Sequence, residues 1–520
     1  MGSNWKRYSF EDCMEAIIDY RGKTPKKTTS GIPLITAKII KNGSIQPVKE
    51  FIAEDDYESW MRRGIPKAGD VVLTTEAPLG EVAQLDERKI ALAQRVITLR
   101  GKAKFLDNTF LKYLLISNDV QHQLDGRGTG TTVKGIKQSE LRQLELPIPD
   151  FNTQLSIAKI LGDLDKKIHL NNQTNQTLEQ MAQALFKSWF VDFDPVFDNL
   201  LANVDFNLEN LATSLPDELK QKAQRRLAAL NSLHNATECK DSLSALAHEL
   251  QAQTQASEQV LGKAAETPVK ANFNANPKIL TQHANTHAHF PSEFEHNEQL
   301  GWIPKGWVTK PFGELLENTI GGDWGKEFAD EKHTIQSRII RGTDIPALKS
   351  GGESKSPLRW VEEKKLKTRK IEFADIIIEI SGGSPTQPTG RSIFMSQGII
   401  KRLGGIIEPA SFCRRFRPLD KKLGLLASVH LQKIYDDGKT WEYQNQSTGI
   451  SNFQTKIFLE NEVVLIPDNK VLGMFYNIAI NFIDRKDLEE SEVLTKLRDT
   501  LLPKLISGEL QIPDVATMKK

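Results

Sequence analysis

The residues here that could do chemistry are polar side chains on glycine-bearing turns. In the first 150 residues they are Arg21, Lys23 and Thr24, then Lys38, then Thr75, then Arg127, Thr129, Thr131 and Lys134. Between 301 and 468 they are Lys326, Arg341, Thr343, Gln387, Thr389, Arg391, Gln446 and Thr448. Such side chains reach phosphates and base edges. Glycine lets the backbone come close, and arginine can pair bidentately with guanine. Ordinary solvated turns have the same composition.

Catalytic patterns are nearly absent. Gly321-Gly322-Asp323-Trp324-Gly325-Lys326 echoes a phosphate loop, but Glu327 follows where Ser or Thr is needed. Gly382-Gly383 follows a good strand, yet Pro385 and Pro388 forbid the helix whose N-terminus would hold a phosphate. Pro216-Asp217-Glu218-Leu219-Lys220 has the letters of a nuclease site without the separated acid–lysine arrangement. No methyl-donor loop and no Asn-Pro-Pro-aromatic tetrapeptide occurs. His283, His287, His289 and His296 cluster without a cysteine or well-spaced acid, which suits a polar linker better than a metal site. The expectation is a chain with no catalytic residue and no metal ligand.

Two rods would have to position these turns. From Asn152 to Phe193 an apolar stripe runs through Ile157, Leu161, Leu164, Ile168, Asn171, Asn175, Leu178, Ala182, Leu185 and Trp189. Its steps of four and three predict a helix packed along another helix. About 39 residues at ~1.5 Å each make a rod of roughly 58 Å, longer than a small domain needs. The asparagines at mid-stripe either fix the register of that pairing or are exposed. A second stripe runs through Tyr476, Ile480, Ile483, Asp487, Glu490, Leu494, Leu497 and Leu501. Each rod follows a proline-bearing extended segment, Leu146-Pro147-Ile148-Pro149 or Leu465-Ile466-Pro467-Asp468.

The rest of the chain repeats as well. Trp5…Phe10 matches Trp307…Phe312, Pro33–Thr36 matches Arg338–Arg341, Asp70–Leu73 matches Asp375–Ile378, and Arg95-Val96 is matched to Arg415-Phe416. The predicted fold class is mixed α/β: two duplicated α/β domains separated by two long helices. The domain boundaries are 1–150, a first rod 151–193, an acidic and polar insertion with linker 194–300, a second domain 301–468, and a second rod with tail 469–510. Short helices are expected around Pro216–Leu233 and Ser242–Gln251 of the insertion.

Net charge is +1 over 520 residues, so the total points to no partner. By segment, residues 1–150 carry net +3, residues 301–468 net +4, and residues 194–300 net −6. If DNA is bound, the repeated domains bind it and the insertion does not. Cys13, Cys239 and Cys413 lie far apart, which fits a reducing cytosol. No run reaches the ~18 apolar residues of a membrane helix. A soluble, cytoplasmic protein is expected.

The order domain–rod–domain–rod resembles the DNA specificity subunit of type I restriction-modification enzymes. The resemblance is carried by Leu146–Pro149 leading into Gln154–Leu164, by Leu185-Phe186-Lys187-Ser188-Trp189-Phe190-Val191-Asp192-Phe193-Asp194-Pro195, by Gly301-Trp302-Ile303-Pro304-Lys305-Gly306-Trp307, and by Leu501-Leu502-Pro503-Lys504-Leu505-Ile506-Ser507-Gly508-Glu509-Leu510. It implies that each repeated domain is a target recognition domain reading half of a split double-stranded DNA target. It also implies that the rods pair as an antiparallel coiled coil spacing the domains. The subunit would bind no cofactor. It would recruit two adenine methyltransferase subunits, which use S-adenosylmethionine, and two restriction subunits, which use ATP and Mg. A rod of roughly 58 Å spans about 17 base pairs at ~3.4 Å each, enough for grooves on successive turns. A structural adaptor whose duplicated domains bind proteins is the alternative reading.

Overall fold

The computed structural model describes residues 5–20, 24–130, 133–211, 215–259, 286–352, 354–382, 387–447, 450–486 and 490–511. The chain divides into two compact units, residues 1–171 with 490–520, and residues 172–489. None of the described helices is long and apolar enough to cross a membrane.

The first unit is built on a four-stranded antiparallel sheet in the order Met14–Asp19, Val96–Gly101, Val71–Thr75, Leu79–Gln84. Its central strands are apolar without alternation because both faces are covered. Val71, Leu73, Ile97 and Leu99 pack against helix Asn108–Ile116. Val72 and Val96 face a second core beneath a three-stranded sheet of Phe51–Ile52, Ile32–Ile35 and Ala91–Leu92. Lys6–Ser9 pairs with Glu145–Ile148.

The second unit repeats this plan strand for strand. Its main sheet runs Leu316–Gly321, Cys413–Pro418, Ile376–Glu379, Ser392–Phe394. Its smaller sheet runs Leu358–Glu362, His333–Ile340, Ile407–Pro409, again with one parallel pairing. Val308–Pro311 pairs with Val463–Ile466. An ion pair repeats too. Buried Asp70 takes two hydrogen bonds from Arg100 (2.8 and 2.7 Å), and buried Asp375 takes two from Arg417 (2.9 and 2.9 Å).

That pair corrects one expected correspondence. Thr74 lies opposite Val96, and Glu379, its equivalent, lies opposite Cys413. Arg95-Val96 therefore matches Phe412-Cys413, not Arg415-Phe416. Arg414, Arg415 and Arg417 crowd the second strand, so matching an arginine–apolar dipeptide by letters lands three residues away. The Asp–Arg contact sets the true register.

The first rod is one helix, Phe151–Phe190. Within the first unit its opening turns pack against helix Glu490–Ile506, and Ile157, Ala158 and Leu161 share a core with Leu505 and Ile506. Asp165 accepts from Arg498 (2.9 Å), Lys112 (2.5 Å) and Tyr113 (2.6 Å), and Lys167 lies 3.1 Å from Glu490. Numbers rise on one helix as they fall on the other, so the pair is antiparallel. Within the second unit, Phe186 and Phe190 meet Phe475 of helix Asn469–Lys486, and Leu178 and Ala182 meet Phe482 and Ile483 around a cavity of about 50 Å³. This pairing is antiparallel as well.

The predicted pairing residues do not all face inward. Ile157, Leu161, Asn175 and Leu178 are buried, while Leu164, Ile168, Asn171, Leu185, Ile480, Ile483, Leu494 and Leu501 are half-buried. Leu497 is 44% exposed and is corrected to a surface position. The inward face of Glu490–Ile506 runs instead through Ser491, Thr495, Arg498, Leu502 and Leu505. It contains an arginine neutralised by Asp165, so an apolar stripe count passes it by. Burial works against the Asp165 charge, but Lys112, Tyr113 and Arg498 outweigh it and hold the carboxyl below its ordinary value. Arg498→Ala should cost about 1–3 kcal/mol, since Lys112 and Tyr113 still serve Asp165. Urea unfolding of the full chain checks this, and an unchanged midpoint would remove Arg498 from the packing account.

The insertion is not merely a linker. Helices Asp194–Ala202, Asp217–Asn231 and Ala236–Gln259 bury Val196, Phe197, Leu201, Leu219, Ala223, Leu230 and Leu243 in the core of the second unit. Asp198 is fully buried and bound by Arg226 (2.7 and 2.8 Å) and by His287 Nε2 (3.0 Å). Asn199 donates to the carbonyls of His287 and Phe290, both at 2.9 Å. His287 thus anchors the segment that leads into the second domain. His283 lies outside the described residues, and no metal-ligating cluster occurs among those described.

Candidate nucleic-acid interface

In the first unit, one end of the central strand organises the loops. The Thr75 N–H donates to the Arg95 carbonyl (3.0 Å), and the Thr75 carbonyl accepts from Ile136 (3.0 Å). Thr129 and Gly135 exchange backbone hydrogen bonds of 2.8 and 2.9 Å, and Gly135 bridges to Glu76. Ile136 is buried and pins this hairpin-like loop to the sheet. Gly130 has φ +116°, and a Cβ there would lie 2.2 Å from the Val133 carbonyl oxygen, so no other residue fits. The result is an open cleft of about 450 Å³ lined by Thr75, Glu76, Gln94, Arg95, Thr129 and Lys137, among others.

The structure therefore brings the Thr75 and Thr129 turns together and adds Gln94, Arg95 and Lys137, which sequence reasoning missed. Gln94 and Arg95 precede an apolar strand with no glycine beside them, Lys137 falls just past the Gly135 turn, and only the pairing of distant turns reveals their place. Arg95 is exposed and its Nε lies 3.7 Å from Glu76. The Gln94 side chain makes no hydrogen bond among the described residues.

The other predicted contacts fall in several places. Arg127 turns to Glu140 (3.3 Å) and Gln143 (3.0 Å), and Lys134 to Asp125 (3.0 Å). Thr24 and Lys38 are exposed and line no part of the cleft. Thr75 lines it but is 3% exposed, so its backbone serves the loop and its side chain is corrected to a core position. Arg21, Lys23, Thr131 and Thr448 lie outside the described residues.

The second unit repeats the strand-end pattern with different side chains. The Ile380 N–H donates to the Phe412 carbonyl (2.9 Å), and the Ile380 carbonyl accepts from Phe453 (2.8 Å). Ser381–Gly382, Ile450–Phe453 and Gln444–Ser447 form a small sheet there, and the Gln446 backbone lies on its outer strand. Thr389 is fully buried, with its N–H and hydroxyl on Gln444 Oε1 (3.1 and 3.2 Å), and is corrected to a structural residue. Arg391 binds buried Glu379 through two hydrogen bonds (2.8 and 2.6 Å). Gly342 packs against that same carboxylate; a Cβ there would lie 2.3 Å from it. Arg341 binds buried Asp344 (3.0 and 2.8 Å), and Thr343 beside it is exposed. Two of the predicted arginines thus brace loops through acids that sequence reading did not pair with them.

On the next loop, Lys326 is exposed, pairs its backbone with Trp360 at 2.8 Å and lies 3.2 Å from Asp330. Arg359 stacks on Trp324 at 5.1 Å and reaches Glu327 at 2.7 Å. Gln387 is exposed and donates to the Tyr435 hydroxyl at 3.3 Å. These groups offer donors, acceptors and aromatic faces, and no arrangement of nucleophile and base.

Residues 2–180 match the type I restriction modification DNA specificity domain. The HindI type I restriction enzyme specificity subunit of Haemophilus influenzae is 26% identical over 98% of this chain and 100% of its own length. Over nearly its whole length the chain is similar to the specificity subunits of type I restriction enzymes. The MjaIX specificity subunit of Methanocaldococcus jannaschii is 22% identical, covering 93% of this chain and 88% of its own. A crystal structure of the S subunit of the type I system of M. genitalium is 16% identical and covers 96% of each chain with a TM-score of 0.45. In this chain the two strand-end loop clusters are the equivalent surfaces of the two repeats.

Proposed function

We propose that this chain is a type I specificity subunit that reads a bipartite double-stranded DNA target, one half-site with each repeated domain, and performs no catalysis itself. The observation that carries this reading is the repeat. The same strand order and the same Asp–Arg pair recur in both units, while the exposed side chain at the equivalent strand end is Arg95 in one and Phe412 in the other. One scaffold presenting two different polar surfaces suits two different short sequences. The mild positive charge of both domains suits modest phosphate contact, leaving more of it to partner subunits. We assign S-adenosylmethionine to two methyltransferase subunits and ATP with Mg to two restriction subunits, with no cofactor on this chain.

The test is to co-express the chain with its methyltransferase partner in a host lacking that methylation and to map modified adenines across the genome. Methylation confined to one bipartite motif with a fixed gap is expected. An intact complex that methylates without a bipartite motif would overturn the reading.

A further inference from the structure

We propose that the residue immediately before the second strand of each main sheet is a base-reading position: Arg95, with its neighbour Gln94, in the first domain, and Phe412 in the second. This rests on reading the repeats as DNA-recognition domains. Three observations carry it. The register places Arg95 and Phe412 at equivalent positions, each giving its carbonyl to a residue at the end of the neighbouring strand, Thr75 as its last residue or Ile380 just past it. Both backbones are therefore held while both side chains stay out in solvent, the Arg95 side chain 48% exposed and Phe412 64% exposed. A phenylalanine with that exposure, on a rigid strand end, contributes nothing to its own core.

The chemistry at the two positions differs in a way that suits two half-sites. Gln94 and Arg95 stand side by side in the polar cleft. Glutamine pairs bidentately with adenine and arginine with guanine. Glu76, 3.7 Å from Arg95, holds the guanidinium over the cleft and gives way to a better acceptor. Phe412 has no hydrogen bond to offer and contacts a thymine methyl group. The first domain therefore reads adjacent purines and the second reads a thymine at the corresponding place.

The experiment compares methylation motifs of the complex carrying Arg95→Ala, Gln94→Ala or Phe412→Ala with that of the unsubstituted complex. Arg95→Ala should relax one guanine in one half of the motif and lower methylation of the original sites about 10- to 100-fold, leaving the other half intact. Gln94→Ala should relax an adjacent adenine. Phe412→Ala should relax only the other half. Unchanged motifs in all three would overturn the proposal. So would a uniform loss across all sequences with a shallower salt dependence, which marks a phosphate contact. If the unsubstituted complex gives no bipartite motif, the reading of the domains fails first, and this proposal falls with it.

Discussion

Asp198→Ala should destabilise the second unit by about 3–5 kcal/mol, the usual cost of leaving half of a buried ion pair behind. Asp198 is fully buried, and Arg226 and His287 both point at it. Burial works against the Asp198 charge, but its bonds to Arg226 and His287 outweigh that and hold the carboxyl below its ordinary value. Without it, Arg226 keeps Asp194 at 3.3 Å, and His287 loses the carboxylate at its Nε2. The three insertion helices and the entry to the second domain would loosen together. Limited trypsin digestion, with calorimetry of the full chain, gives the readout: early cleavage at Arg225 or Arg226 and a lowered melting temperature. Parent-like protection would show that the carboxylate is dispensable. The pH dependence has a defined sign. A depressed carboxyl contributes stability that is present above its unfolded pKa and lost as pH falls through the folded value. This contribution is therefore complete at neutral pH and lost only in acid.

Glu408→Gln should do the reverse and stabilise the second unit above neutral pH. Glu408 lies on strand Ile407–Pro409, opposite Ile339, fully buried, and neither carboxylate oxygen has a hydrogen-bond partner among the described residues. Burial pushes its carboxyl up to about 7, Asp323 adds to the push, and Arg369 and Lys365 oppose it. The folded pKa thus exceeds the ordinary 4.5, so the folded chain holds a proton that the unfolded chain releases. The penalty is absent below about 4.5, grows between there and about 7, and is complete above, where a shift of that size is worth about 3 kcal/mol. Glutamine keeps the shape of the neutral acid. Parent and variant should therefore match at pH 4 and separate by about 3 kcal/mol at pH 8. Thermal unfolding at the two pH values measures it; a gap that does not change with pH would exclude titration of Glu408.

The sequence by itself determined the periodic and repeated features. The stripe from Ile157 to Trp189 specifies a helix because its spacing follows the 3.6-residue period over about nine turns. The order of apolar runs and turns appears twice, so the duplication was legible before any coordinate. Only the tertiary structure decided which polar residues face solvent. Arg391, Arg341, Thr389 and Thr75 have the composition of binding loops, yet Glu379, Asp344, Gln444 and the sheet itself claim them. A braced arginine and a free arginine are the same letter, and only the folded chain shows which acid turns toward which, Asp344 to Arg341 or Glu379 to Arg391. The same reason hid Arg498 in the inward face of its helix and Asp198 in the acidic insertion. It also hid Gln94, Arg95 and Phe412, whose place beside the loops depends on strand register, and a two-strand contact such as Asp70–Arg100 is what sets that register.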